Sequence, residues 1–134
     1  MKNLAQLRTT NAFTVLDGPF RSLRTKEGRS VLNGYAALVR NSGLLAAAAY
    51  SLYKGKEHLL VANALAYHLE NFASRRNLLA IQQPVGPGNG AVRLVKSLSA
   101  STCDVIHLMQ RTDEALAFLG YLKHLAAAAA QPEP

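Results

Sequence analysis

Cys103 and His107 stand four residues apart, which puts two side chains on one face of a helix and could supply half of a zinc site. No second pair of ligand-type residues occurs at such a spacing. The two therefore read as a buried cysteine beside a histidine. His58, His68 and His124 read as helix-surface or core residues. Asp113 and Glu114 are adjacent, so a helix places them on different faces. A helix start accounts for them better than a general acid paired with a general base. No Gly-x-Ser-x-Gly nucleophile elbow is present. Gly86, Gly88 and Gly90 follow no strand and precede no Gly-Lys-Ser/Thr, so they are not a phosphate-binding loop. The residues point to a chain with no catalytic group, no metal site and no cofactor.

One helical enzyme class needs separate exclusion. Small all-α ribonucleases of the HEPN type carry Arg followed by His after four to six residues, and none of the four histidines here has an Arg at that distance before it. Charge supplies the positive clue. Fifteen Lys and Arg face eight Asp and Glu, a formal charge of +7. An excess of this size favours polyanions, nucleic acid above all.

The elements that would position such residues are helical. Apolar residues make up 49% of the chain and are mostly Ala and Leu, Trp is absent, and no β-branched run alternates. The expected fold is all-α, a compact bundle of five to six helices in a single domain over residues 1–130, with a disordered tail at 131–134. A first helix spans Asn3 to Leu16 with Ala5, Thr9, Ala12, Phe13 and Leu16 on its inner face, and Asp17-Gly18-Pro19 stops it. Ser30 is placed to cap a second helix. Val31, Tyr35, Leu38, Ser42, Leu45, Ala49 and Leu52 then recur as a heptad seam, which favours one long helix to Tyr53 over a kink at Gly43.

After a turn at Lys54-Gly55-Lys56, a third helix covers Glu57 to Ser74, with Val61, Leu65, Leu69 and Phe72 inward and Arg75 and Arg76 at its C-terminal dipole. A short helical piece at Asn77 to Gln82 and a loop from Gln83 to Gly90 follow. Two further helices cover Ala91 to Leu98 and Thr102 to Gln110. Thr112-Asp113-Glu114 opens the last, whose buried side is Leu116, Leu119, Leu122, Leu125, Ala126 and Ala129. A single cysteine excludes an internal disulfide, the N-terminus lacks an apolar leader, and no apolar run is long enough for a bilayer, so a cytoplasmic protein without membrane contact is expected.

Two segments carry a resemblance. The first runs from Tyr35 through Gly43-Leu44 to Tyr50, with Lys54 beyond it. The second is Thr112-Asp113-Glu114-Ala115-Leu116 followed by Phe118, Leu119, Tyr121, Leu122, Lys123 and an alanine-rich end. Together they resemble the small subunit of Cmr-type (type III-B) CRISPR effector complexes. That family shows a Tyr, a Gly-Leu pair and an aliphatic-aromatic stretch ending in Lys, then Thr-x-Glu-Ala-Leu, an aromatic and Leu-Lys. Tyr121 stands where the family usually has Trp, and the helix before Gly43 lacks the family's usual Pro.

The resemblance implies a non-catalytic subunit that stacks in several copies. Its partners would be other copies of itself, the backbone and large subunits of the complex, and the guide RNA with its target RNA. Stacking would need a head-to-tail interface, and contact with the RNA backbone would be electrostatic and indifferent to sequence. On this reading the RNA-binding set is Arg21, Arg24, Lys26 and Arg29, taken to lie in a loop, together with Arg40, Lys54 and Lys56 around the Gly43-Leu44 segment, and Arg111 and Lys123 in the second segment. Two other readings stay open: a helical protein–protein adaptor that binds no nucleic acid, and a helix-turn-helix DNA binder.

Overall fold

The chain begins its first helix where a side chain can satisfy the free amides. Asn3 accepts from the Gln6 N–H at 2.8 Å while the Gln6 side chain accepts from the Asn3 N–H at 2.9 Å, a reciprocal cap that starts α1 (Leu4–Asp17). The computed structural model describes residues 3–18, 20–71, 90–100 and 104–130. Within them α1 is followed by a 3-10 turn (Arg21–Arg24), α2 (Lys26–Ser42), α3 (Leu44–Lys54), α4 (Lys56–Glu70), α5 (Gly90–Ser99) and α6 (Val105–Ala128). The architecture is an all-α bundle, with six α-helices and no strand among the described residues. Phe72, Arg75, Arg76, the piece at 77–82, the loop at 83–89, Cys103 and the tail at 131–134 lie outside the described residues.

The second helix breaks where one long helix was expected. Gly43 adopts φ +87° and ψ 157°, open to glycine and costly for any other residue. The side chains show the consequence. Tyr35 and Ser51 are sixteen positions apart, yet their hydroxyl oxygens lie 2.6 Å from one another. A continuous helix would separate them by about 24 Å. The chain therefore folds back into an α2–α3 hairpin, and the Ser51 hydroxyl also donates to the Ala47 carbonyl at 2.9 Å. Burial pushes the Tyr35 phenol up to about 12, so it stays a neutral hydrogen-bonding group.

The break also dissolves the heptad seam. α2 buries Leu32, Tyr35 and Val39, and α3 buries Leu44, Ala47, Ala48 and Ser51. Val31, Leu38 and Leu45 are only partly buried against the core, while Ser42, Ala49 and Leu52 are exposed. A Cβ built on Gly43 meets nothing within 4 Å, so substitution there is penalised by backbone conformation alone. Gly43→Ala should cost about 1–3 kcal/mol in equilibrium denaturation with an unchanged m-value. A neutral result would mean that the corner adapts to a left-handed-forbidden residue without strain.

The helix starts also move. Thr25, not Ser30, caps α2 by accepting from the Gly28 N–H at 3.2 Å, so Lys26 and Arg29 are helical and Arg21 and Arg24 lie in the 3-10 turn. The basic cluster is not a loop. Helix α6 is capped by Asp104, whose carboxylate accepts from the His107 N–H at 2.9 Å, and runs unbroken through Thr112-Asp113-Glu114. No proline interrupts it. The Thr112 hydroxyl donates to the Leu108 carbonyl at 2.7 Å, the back-bond of a residue inside a helix. Leu119, Leu122 and Ala126 are buried as expected, with Leu116 and Leu125 partly so.

The core gathers where α6 runs against α1, α2 and α4, and where α5 packs on α3 and α4. Val61, Leu65 and Leu69 of α4 are wholly buried. The inner face of α1 is the expected one at Ala12 and Leu16 and differs at its other positions. Asn11, Ala12, Val15 and Leu16 face inward, while Ala5 and Phe13 are exposed. Arg8 and Asn11 of this helix belong to a polar network that the apolar pattern cannot show. The Arg8 guanidinium donates through Nε and Nη2 to both Glu114 carboxylate oxygens, at 2.8 and 2.7 Å. His68 Nε2 lies 2.8 Å from Glu114 Oε2, and Asn11 Nδ2 lies 2.9 Å from His68 Nδ1. The His68 ring stacks on Phe118 at 4.0 Å between centroids.

Candidate nucleic-acid interface

Helix ends supply the cations of a surface groove. The start of α2 contributes Lys26, Glu27 and Ser30, the last residue of α3 contributes Lys54, and Gly55 is followed by Lys56, Glu57 and His58 at the start of α4. Together with Val31 they line an open groove of about 580 Å³. Three of the nine expected RNA-contacting residues, Lys26, Lys54 and Lys56, meet there, although twenty-eight positions separate Lys26 from Lys54. All three are exposed.

Backbone geometry adds to the field. Gly55, at φ +69°, has no side chain with which to cap α4, so the first amides of that helix have no side-chain acceptor. Free amides and the helix dipole together favour an anion. Lys56 has φ +49°, the one non-glycine residue with positive φ among those described. That conformation costs about 1–2 kcal/mol and is held by the turn on which the two lysines sit. Glu27 and Glu57 occupy the first turns of α2 and α4, where they offset part of this field. Burial lowers the His58 pKa, Lys54 lowers it further and Glu57 opposes them, so His58 is neutral at physiological pH.

The other expected cations are placed differently. Arg24 reaches Asp17 at 3.7 Å, and the Arg29 guanidinium donates to the Arg24 carbonyl, so both serve the 3-10 turn. Arg21, Arg40 and Lys123 are exposed but do not line the groove. Arg111 corrects the surface expectation most clearly. It is only 9% exposed, because α6 continues past it and turns it inward.

Sequence reasoning missed the aromatic side of this region. Tyr50 and Tyr53 are three apart on α3, with ring centroids 6.4 Å from each other. Tyr50 meets His58 edge-on at 5.6 Å, and His58 lies 6.4 Å from buried Tyr35. The signal was present as two tyrosines at helical spacing immediately before Lys54-Gly55-Lys56. It shows as a cluster only once α3 and α4 turn at Gly55.

Glu114 and His68 do form a hydrogen-bonded acid–histidine pair, but His68 exposes none of its surface and both are enclosed by α1, α4 and α6. The pair clamps helices together. Among the described residues no three His, Cys, Asp or Glu side chains gather to hold a metal ion, and no helix is long and apolar enough to cross a membrane.

A family model described as CRISPR-associated protein (Cas_Cmr5) matches residues 5–129. No curated protein and no solved structure matches the chain.

Proposed function

The chain belongs to the CRISPR-associated Cas_Cmr5 family, the small subunits of Cmr-type effector complexes, and from that premise we propose that it is a non-catalytic cytoplasmic subunit that supports target RNA through backbone contacts. The observation that carries this reading is the groove in which Lys26, Lys54 and Lys56 surround the uncapped start of α4. Lysine ammonium groups and helix amides match phosphate and read no base. Several copies stack beside the backbone subunits that hold the guide, and each adds a short stretch of phosphate contact. Exposed Val105, Ile106 and Met109 in the first turns of α6 support a subunit contact at that end. The same apolar patch favours the second reading, an adaptor that binds only protein.

Single-stranded RNA tested against the purified chain separates the two readings. Three phosphate contacts predict a log–log salt slope of about −2, with little dependence on base sequence. Binding is weak for one copy and gains strength by avidity when copies align. Absence of RNA binding at low salt would pass the assignment to the adaptor.

A further inference from the structure

Tyr53 is the most exposed of the large apolar and aromatic side chains among the described residues, at 87%. It ends a ladder of rings that begins in the core. Tyr35 is buried, His58 lies beside it, Tyr50 meets His58 edge-on, and Tyr53 follows Tyr50 by one helical turn. The rings run from the core to the surface, and the outermost is open to solvent. Lys54 is the next residue, and it lines the groove with Lys56, Lys26 and His58, the ring that Tyr50 meets edge-on. An open ring beside a lysine-lined groove is the combination by which proteins hold single-stranded nucleic acid, with cations on the phosphates and an aromatic face on a base.

We propose that Tyr53, backed by Tyr50, is a stacking platform for one unpaired base of single-stranded RNA whose phosphates run along Lys54, Lys56 and Lys26. The proposal rests on the reading of the groove as an RNA surface and extends it from the backbone to a base. Lys54 directly follows the ring in the chain, and the three lysines of the groove outnumber its two carboxylates, Glu27 and Glu57, a balance that suits a phosphate strand better than an apolar partner. Every base has a π face, so the platform tolerates any sequence. It discriminates strand state instead, because a base inside a duplex has no face to offer. Each copy in a stack would hold one splayed base.

The test uses the full chain at low salt with a single-stranded RNA carrying 2-aminopurine, whose fluorescence is quenched on stacking. Wild type should quench the probe and bind the single strand better than a duplex of the same length. Tyr53→Ala should abolish the quench, remove the strand preference and lower affinity about five-fold or more, the loss of one base–aromatic stack. Tyr53→Phe should retain all three properties, and both variants should melt as wild type does. Binding by wild type without quenching, or unchanged quenching in Tyr53→Ala, would overturn the platform and leave the phosphate groove standing. If Tyr53→Ala binds and quenches normally but falls away from the assembled complex, the ring is a protein contact and the proposal fails. No binding by wild type at low salt would overturn both the platform and the groove.

Discussion

Glu114→Ala should destabilise this protein by about 3–5 kcal/mol, because it removes one partner from a buried charge pair. Glu114 is 8% exposed and Arg8 19%, so neither charge is screened as a surface group would be. Removing the carboxylate leaves the Arg8 guanidinium without its two acceptors and His68 Nε2 without its partner, and it unties α1 and α4 from α6. The melting temperature followed by circular dichroism should fall by on the order of 10 °C. Arg8→Met combined with Glu114→Leu should recover much of the loss, since an apolar pair of similar size leaves no orphan charge. A loss below about 1 kcal/mol for Glu114→Ala would show that the network does not hold the three helices together.

The same network sets the pH dependence. Burial alone would raise the Glu114 carboxyl, but hydrogen bonds and charge from Arg8 and His68 outweigh it and hold the group at about 2 against an ordinary 4.5. A carboxyl depressed in the folded state contributes stability that is present above pH 4.5 and is lost as pH falls toward 2. Burial lowers the His68 pKa below its ordinary 6.5, against the pull of Glu114. The Asn11 amide fixes the sense of this shift. It donates to the Asn71 carbonyl at 3.2 Å and to His68 Nδ1, which leaves Nε2–H to donate to Glu114. Protonated His68 would set a second N–H against the Asn11 donor. The unfolded chain takes up that proton more readily, so acidification below 6.5 also destabilises the fold. Both groups act in one direction. Stability should decline gently below pH 6.5 and more steeply below pH 4.5 in denaturation series.

Reversing Lys26, Lys54 and Lys56 together to Glu should lower target-RNA capture by the assembled complex on the order of 100-fold, while leaving assembly intact. All three side chains are exposed, so the fold loses no core contact. The effect grows with copy number because every subunit in the stack loses its phosphate contacts at once. Capture by the remaining subunits should show a shallower salt dependence, by about 0.7 for each contact removed per copy. Reversal of Arg24 and Arg29 is the informative contrast. Their partners are Asp17 and the Arg24 carbonyl, so that variant should lose stability before it loses RNA. Normal capture by the lysine variant would move the RNA face elsewhere and favour the adaptor.

The amino-acid sequence alone determined the fold class, the first helix, the fourth and fifth helices to within a few residues, and the family. Composition and helix-favouring residues act locally, so α1, α4 and α5 are legible without knowledge of their neighbours. Three features were decided only by tertiary structure. The corner at Gly43 depends on Tyr35 reaching Ser51 and Ala47 across a hairpin, which outweighs the heptad pattern of a straight helix. The role of Glu114 depends on Arg8 and His68, which lie 106 and 46 positions away; read locally, a Thr-Asp-Glu run signals a helix start. The lysine groove depends on two helix starts and one helix end meeting in space, which gathers Lys26, Lys54 and Lys56 out of the nine expected cations; charge along the chain does not single them out. At Gly43 and at Glu114 local propensity speaks for a few residues and a long-range contact overrides it, because a satisfied buried polar group outweighs a weak preference of the backbone; the groove is instead a meeting of exposed helix ends, which only the packing of the helices sets.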